Sequence, residues 1–380
     1  MDLVPIDTAL GSIPVGTIPI SASNVAACRL ECYANMNPER GAQVTIADVA
    51  AAAKVSRSTA SRAVSGHPAV SSAARRAVLE AASALGYRVN PAARALRGGS
   101  SRLIGLVVTN LVNASIQTVV ETLHDRSHRA GYQVLMAVTG GDQQREAEVL
   151  EALVDHRVAG LFIMPSGSSP DRLNALVASG LPVVSLIRDL RGLEVPVVLD
   201  DDRAGAAAAT NHLLGLGHRD IAFVGGPPSV HSGRERFHGY RDALRAAGMN
   251  LQQTLVHRGP FEPAWGAEVA RRITTGPPAC SSAVVANHEA LHGMVRTLAQ
   301  SGVDLPARLS LIGFEDAPLF SYWHPAISVV DTHPAELAVA AFDMLMEQVN
   351  GGRRSRDRPR LVVESALLIR ESTGRPPSAQ

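Results

Sequence analysis

The chain is poor in cysteine, in long apolar runs and in catalytic signatures, and each shortage removes a class of protein. Three cysteines among 380 residues cannot build a disulfide framework and suit a reducing compartment. Cys28 and Cys32 stand four apart with no second pair and no nearby histidine, so no zinc site is expected there. No apolar run reaches the length of a membrane span. Residues 1–35 have no charged stretch followed by a compact apolar one, which makes them a poor signal peptide. The enzyme motifs are missing too: no G-x-G-x-x-G after a first strand, no phosphate loop, no G-x-S-x-G and no H-E-x-x-H. Asp200, Asp201 and Asp202 form an acidic cluster, but directly before a helical stretch they read as capping residues. Neither catalysis nor a cofactor is expected.

Charge is balanced only in total. Between Gly41 and Ser100 stand eight basic residues (Lys54, Arg57, Arg62, Arg75, Arg76, Arg88, Arg94, Arg97) and two acids (Asp48, Glu80), a net of +6; the whole chain carries +1, which leaves −5 elsewhere. A basic segment on a slightly acidic body suits a reader of nucleic acid whose remainder does not cling to phosphate. At this length the chain has room for two or three domains.

The basic segment holds the most informative pattern. Residues 44–66 read VTIADVAAAAKVSRSTASRAVSG. Thr45 and Asp48 mark a helix start, and Ile46, Val49, Ala50 and Ala53 share one helical face. Lys54-Val55-Ser56 makes a turn, with Ser56 capping a second helix from Arg57 to Val64. Arg57, Ser58, Ser61 and Arg62 lie on its exposed side, as in a helix that enters a DNA major groove. A plain surface helical hairpin is the other reading of this stretch alone. Ser71 caps a third helix that ends at Gly86, and Asn90-Pro91 opens a short fourth.

The residues Thr45, Asp48, Val49, Ala50, Val55, Ser56, Thr59, Ser61, Arg62, Tyr87, Asn90, Ala93, Arg94 and Leu96 resemble, at fixed spacing, the headpiece and hinge of the lactose-repressor/galactose-repressor family of bacterial transcription regulators. Lys54 stands where the family has a turn glycine and Val89 where a proline is usual. That headpiece starts close to the N-terminus in the family, so residues 1–43 are expected to be a disordered arm or to lie ahead of a true start at Met36.

From Arg102 onward, apolar runs of strand length alternate with helical stretches. Strands are expected at Leu103–Val108, Gln133–Val138, Gly160–Met164 and Pro182–Ile187, then at Asp220–Gly226, Thr254–Gly259, Ser282–Asn287 and Leu309–Phe314. Two such series imply two doubly wound parallel sheets, with ligands at the carboxyl ends of their strands. LGHRDIAFVGG, RERFHGY, GPFEPAWG and LSLIGFED are similar to the family's core, which is related to periplasmic sugar-binding proteins. The fold class expected is α/β: an all-α helix-turn-helix headpiece (44–89), a hinge (90–101), and a periplasmic-binding-protein-like body (102–372). Its first subdomain would take 102–200 and 331–350. The second would take 201–330 and 351–370, with a strand from Leu361 to Leu368, before a loose tail (373–380).

The resemblance implies roles. Ser56, Arg57, Ser58, Thr59, Ser61, Arg62 and Ser65 would meet DNA, with Arg57 and Arg62 touching bases and the hydroxyls positioning. Asn90, Ala93 and Leu96 would form the hinge, with Leu96 wedged into the operator. Ser115, Arg188, Ser232, Arg236, Phe261 and His288 would line an effector cleft. His288 replaces the aspartate common in the family, so the sequence leans toward an anionic effector (a sugar phosphate or sugar acid) as strongly as toward a neutral sugar. The expected protein is a cytoplasmic homodimeric regulator, most simply a repressor, of a double-stranded DNA operator. An activator, a family member without an effector, and an exported solute-binding protein are the alternatives.

Overall fold

The computed structural model describes residues 44–65, 67–87, 101–167, 170–275, 280–351 and 359–377. The chain separates into two compact units, one ending at Arg97 and the other beginning at Gly98. Among the described residues no helix is long and apolar enough to cross a membrane.

Among the described residues the first unit holds three helices, α1 (Ile46–Ala52), α2 (Arg57–Val64) and α3 (Ser72–Ala84). The Asp48 carboxylate accepts from the N–H and the hydroxyl of Thr45, both at 2.8 Å, and so fixes the start of α1. Lys54 turns the chain with φ 54°, a left-handed conformation that costs a non-glycine residue about 1–2 kcal/mol. The helices repay it by burying Ile46, Val49, Ala50, Ala60, Ala63 and Val78 together, with Val55 packed against them. Ser71 caps α3 by accepting from the Ala74 N–H.

The second unit contains β1 (Leu103–Val108), α4 (Ala114–Arg129), β2 (Gln133–Val138), α5 (Gln143–Asp155), β3 (Gly160–Ile163), α6 (Pro170–Ala178), β4 (Val183–Leu186) and β5 (Val197–Asp200). Next come α7 (Asp202–Gly215), β6 (Ile221–Gly225), α8 (His231–Ala246), β7 (Val256–Arg258), α9 (Pro263–Thr275), β8 (Ser282–Ala286) and α10 (His288–Gln300). The chain ends with β9 (Ser310–Phe314), α11 (Pro318–Tyr322), β10 (Ser328–Asp331), α12 (Pro334–Val349), β11 (Arg360–Val363) and β12 (Ala366–Leu368). The strands form two six-stranded sheets, ordered β11-β5-β4-β3-β1-β2 and β12-β10-β9-β8-β6-β7. All pairings are parallel except β10 with β12. Helices cover both faces, so the central strands are buried along nearly their whole length, as parallel sheets require.

The first sheet packs Ile104, Leu106 and Phe162 against Leu123, Leu337 and Leu345 on one face, and Val107, Leu161 and Ile163 against Leu150, Leu153 and Leu173 on the other. The second sheet packs Ala283, Val285 and Leu311 against Val269, Leu291 and Met294, and Phe223, Val284 and Ile312 against Ala209, Tyr240 and Leu244. Gly266 and Gly293 let α9 and α10 touch: a Cβ at Gly293 would stand 1.7 Å from the Pro263 carbonyl oxygen, and one at Gly266 1.8 Å from that of Ala290. Only glycine allows so close an approach.

Four segments differ from the expected pattern. The strands β5 and β10 lie outside the two expected series. The single strand expected over Leu361–Leu368 is broken: β11 pairs with β5 in the first sheet, and β12 pairs with β10 in the second. Residues 360–363 therefore belong to the first subdomain, because Glu364 and Ser365 carry the third crossing between sheets. The crossings hold one another. The Asp201 N–H donates to the Val363 carbonyl at 2.9 Å, and His333 Nδ1 to the Glu364 carbonyl at 2.9 Å. Nor does the tail come loose at residue 373. Gly374 N–H donates to Ser310 Oγ at 3.0 Å, and its carbonyl accepts from His218 Nε2 at 2.9 Å. Buried polar groups of the sheet end need these partners.

Candidate functional site

Two places concentrate functional side chains. The first is the outer face of α2. Ala60 and Ala63 turn inward, which leaves Arg57, Ser58 and Arg62 exposed. Ser56 caps the helix, accepting from the Thr59 N–H at 3.1 Å, and its hydroxyl also meets those of Ser58 and Thr59. Ser65 donates to the Arg62 carbonyl at 3.1 Å, and Ser61 is half-buried between them. Among the described residues the Arg57 and Arg62 guanidiniums form no hydrogen bond or ion pair, so their donor forks are free for phosphate or guanine. Asn90, Ala93 and Leu96 of the expected hinge, and the leader at 1–43, lie outside the described residues.

The second place is a cleft in the larger unit, at the carboxyl ends of both sheets. It encloses about 550 Å³, counting the part open to solvent. The first subdomain contributes Thr109, Asn110, Asn113, Ser115, Ile116, Met164, Ile187, Arg188 and Asp200; the second contributes Ser232, Arg236, Phe261, Asn287, Glu289 and Glu315. Ser115, Arg188, Ser232, Arg236 and Phe261 thus meet in one cleft. The Phe261 ring lies over Gly226, where a Cβ would come within 2.1 Å of it.

His288 is absent from this lining. The first turn of α10 presents Asn287 and Glu289 to the cleft and turns His288 toward His292, its neighbour one turn on. Their Nε2 atoms lie 3.1 Å apart, and the His288 ring packs on Phe320 with centroids 5.5 Å apart. The carboxylates at Glu289, Glu315 and Asp200 remove the premise that the cleft lacks an acid.

Arg236 organises the centre. It is 2% exposed and donates from Nε to Asp202 at 2.6 Å, from Nη1 to the Ala286 carbonyl at 3.2 Å and from Nη2 to Glu315 at 2.9 Å. Its guanidinium carbon stands 4.4 Å from the Phe314 ring centroid. Burial opposes its charge, but Asp202 and Glu315 outweigh burial and hold it protonated. Burial likewise opposes an ionised Glu315, and Arg236 outweighs it, so that carboxyl titrates below its ordinary range. Burial, reinforced by the neighbouring Asp202 carboxylate, pushes Asp200 well above its ordinary range. Glu315 also accepts from Asn113 Nδ2, a direct link between subdomains.

Two cleft residues sit in strained backbone. Ile187 has φ 62°, and the Arg188 N–H donates across it to the Leu186 carbonyl at 2.6 Å, closing a three-residue γ-turn. Glu315 has φ 69°. A branched side chain at positive φ is rare, and such strain clusters at ligand sites. Thr109, Asn113, Glu289 and Glu315 are among the cleft residues that sequence reasoning missed. Glu315 was within reach, because it directly follows a buried strand; Asn113 is an N-cap and Glu289 a first-turn acid, positions where such residues are common without any ligand.

Residues 45–90 match the model for bacterial regulatory proteins of the lacI family, and residues 210–373 match that for periplasmic binding protein-like domains. The HTH-type transcriptional regulator AscG of Escherichia coli (strain K12) is 31% identical over 331 residues, covering 86% of this chain and 98% of that protein. The solved complex of the transcriptional regulator CelR with cellobiose superposes with a TM-score of 0.66 at 28% identity, covering 87% of this chain and 100% of that one. The lac repressor dimer bound to operator and the anti-inducer ONPF shares the fold, with a TM-score of 0.76 at 24% identity over 87% of this chain and 99% of that one. With a free-arginine helix-turn-helix, a two-sheet body and these relatives, the chain belongs to the LacI family of DNA-binding transcriptional regulators.

Proposed function

We propose that this regulator is a homodimeric repressor of a palindromic operator, and that a small polar effector in the inter-subdomain cleft controls it. The observation that carries the effector reading is the cleft lining. Thr109 Oγ1 and Ser115 Oγ are buried there without a hydrogen-bond partner among the described residues. Buried hydroxyls left unpaired cost about 1–3 kcal/mol each, and a hydroxyl-bearing ligand would satisfy them. The CelR relative, solved with cellobiose, supports a polyhydroxylated ligand. The cleft carboxylates argue against a sugar phosphate, whose second negative charge would meet Glu289 and Glu315.

A ligand that touches both subdomains binds one closure state better than another. It shifts the population of that state and hence the operator-competent dimer. Self-association is supported by β2, an edge strand that exposes Met136 and Val138. An apolar edge strand without a cover invites pairing or aggregation. The protein would act in the cytoplasm, on double-stranded DNA. Fluorescence anisotropy of labelled promoter DNA, titrated with and without a panel of sugars and sugar acids, tests the reading. Release or tightening caused by a ligand, and lost in Ser115→Trp, supports it. A DNA affinity that no ligand changes would count against an effector-controlled switch.

A further inference from the structure

Arg188 and Glu289 face one cleft from opposite subdomains, and among the described residues neither forms an ion pair. Arg188 is set at the end of β4 by the strained turn at Ile187, and its guanidinium makes one hydrogen bond among the described residues, from Nη1 to the Pro165 carbonyl at 3.2 Å. Burial lowers its pKa, and the charges of Glu146 and Glu289 act against that. Glu289, in the first turn of α10, accepts from Asn287 Nδ2 at 2.6 Å and has no ion pair among the described residues. Of the other acids in the cleft, Asp200 is pushed well above its ordinary range by burial and by the Asp202 charge. Arg236 answers both Asp202 and Glu315. Glu146, behind Arg188, accepts from the Ser166 N–H. What remains is one positive group on the first subdomain, one negative group on the second, and the unpartnered hydroxyls of Thr109 and Ser115 beside them.

Holding two opposite charges out of water without a partner is costly, and a ligand that completes both would remove the cost. We infer that the cleft is bipolar and takes a small polyhydroxylated zwitterion, with its carboxylate on Arg188 and its ammonium on Glu289. This rests on the reading of the cleft as the effector site and names the ligand class for it. A ligand spanning both groups also ties the subdomains together, so charge recognition and closure are one event.

Isothermal titration of the full chain with four open-chain polyols tests it: D-glucitol (neutral), D-gluconate (anion), D-glucamine (cation) and 2-amino-2-deoxy-D-gluconate (zwitterion). Each matched charge is expected to tighten binding about tenfold, so the zwitterion binds tightest. Arg188→Met should erase the advantage of gluconate over glucitol and keep that of glucamine; Glu289→Gln should do the reverse. Thermal unfolding of each variant verifies that it is folded. Tightest binding of glucitol, charge preferences that survive both substitutions, or no binding of any of the four would overturn the inference. Operator release by a neutral sugar after such a result would leave the effector reading standing, so the two failures are distinguishable.

Discussion

Replacing Arg236 by methionine keeps most of the side chain's volume and removes its charge. Asp202 and Glu315, now 2.6 and 2.9 Å from the guanidinium, would face each other and Asp200 without a cation. Breaking a buried ion pair on one side costs about 3–5 kcal/mol, which for a unit of this size lowers the midpoint by on the order of 10 °C. The sign of the pH dependence follows from the groups left behind. Without Arg236 their folded-state pKa values rise above the unfolded values near 4. The unfolded chain then gives up its protons first, and the variant loses stability as pH rises through that window. The penalty should be smaller at pH 5.5 than at pH 8. Urea denaturation of both proteins at the two pH values measures it. A loss below about 1 kcal/mol, or one equal at both pH values, would refute the account of Arg236 as the counter-ion of a buried acid cluster.

Arg62→Ala is expected to weaken operator binding by about 1–3 kcal/mol, read by anisotropy, with ligand binding to the body unchanged. Ser56→Ala removes the cap of α2 and should cost about 1 kcal/mol of headpiece stability, seen as a lower first transition in circular dichroism. Burial depresses His218, opposed in part by the Gly374 carbonyl, so the unfolded chain is protonated first as pH falls. Stability should therefore drop below pH 6.5 toward the folded-state pKa, and His218→Gln should flatten that drop in urea titrations. Met136→Asp on the edge strand should convert a dimer to a monomer in light scattering; an unchanged mass would place self-association elsewhere.

Much of this was legible because it is local. The T-x-x-D start, the Ser56 cap and the Lys54 turn depend on neighbours within four residues, and each stands where the pattern puts it. Long buried runs such as Leu103–Val108 and Leu309–Phe314 announced their strands through apolar continuity. The short strands β5 and β10 did not, being four residues each and flanked by polar crossings. Residues 361–368 looked like one strand because apolar periodicity says nothing about which sheet a segment joins.

The amino-acid sequence alone determined the helix-turn-helix, the exposed face that carries its arginines and the two-sheet body, since those follow from spacing along the chain, and resemblance supplied the family. Only the tertiary structure decided the character of the cleft. One turn of α10 sends His288 to His292 and Glu289 to the ligand side, and three crossings bring Asn113 against Glu315 from 202 residues away. Charge balance in a cleft depends on which groups already hold one another, and that is a property of distance in space.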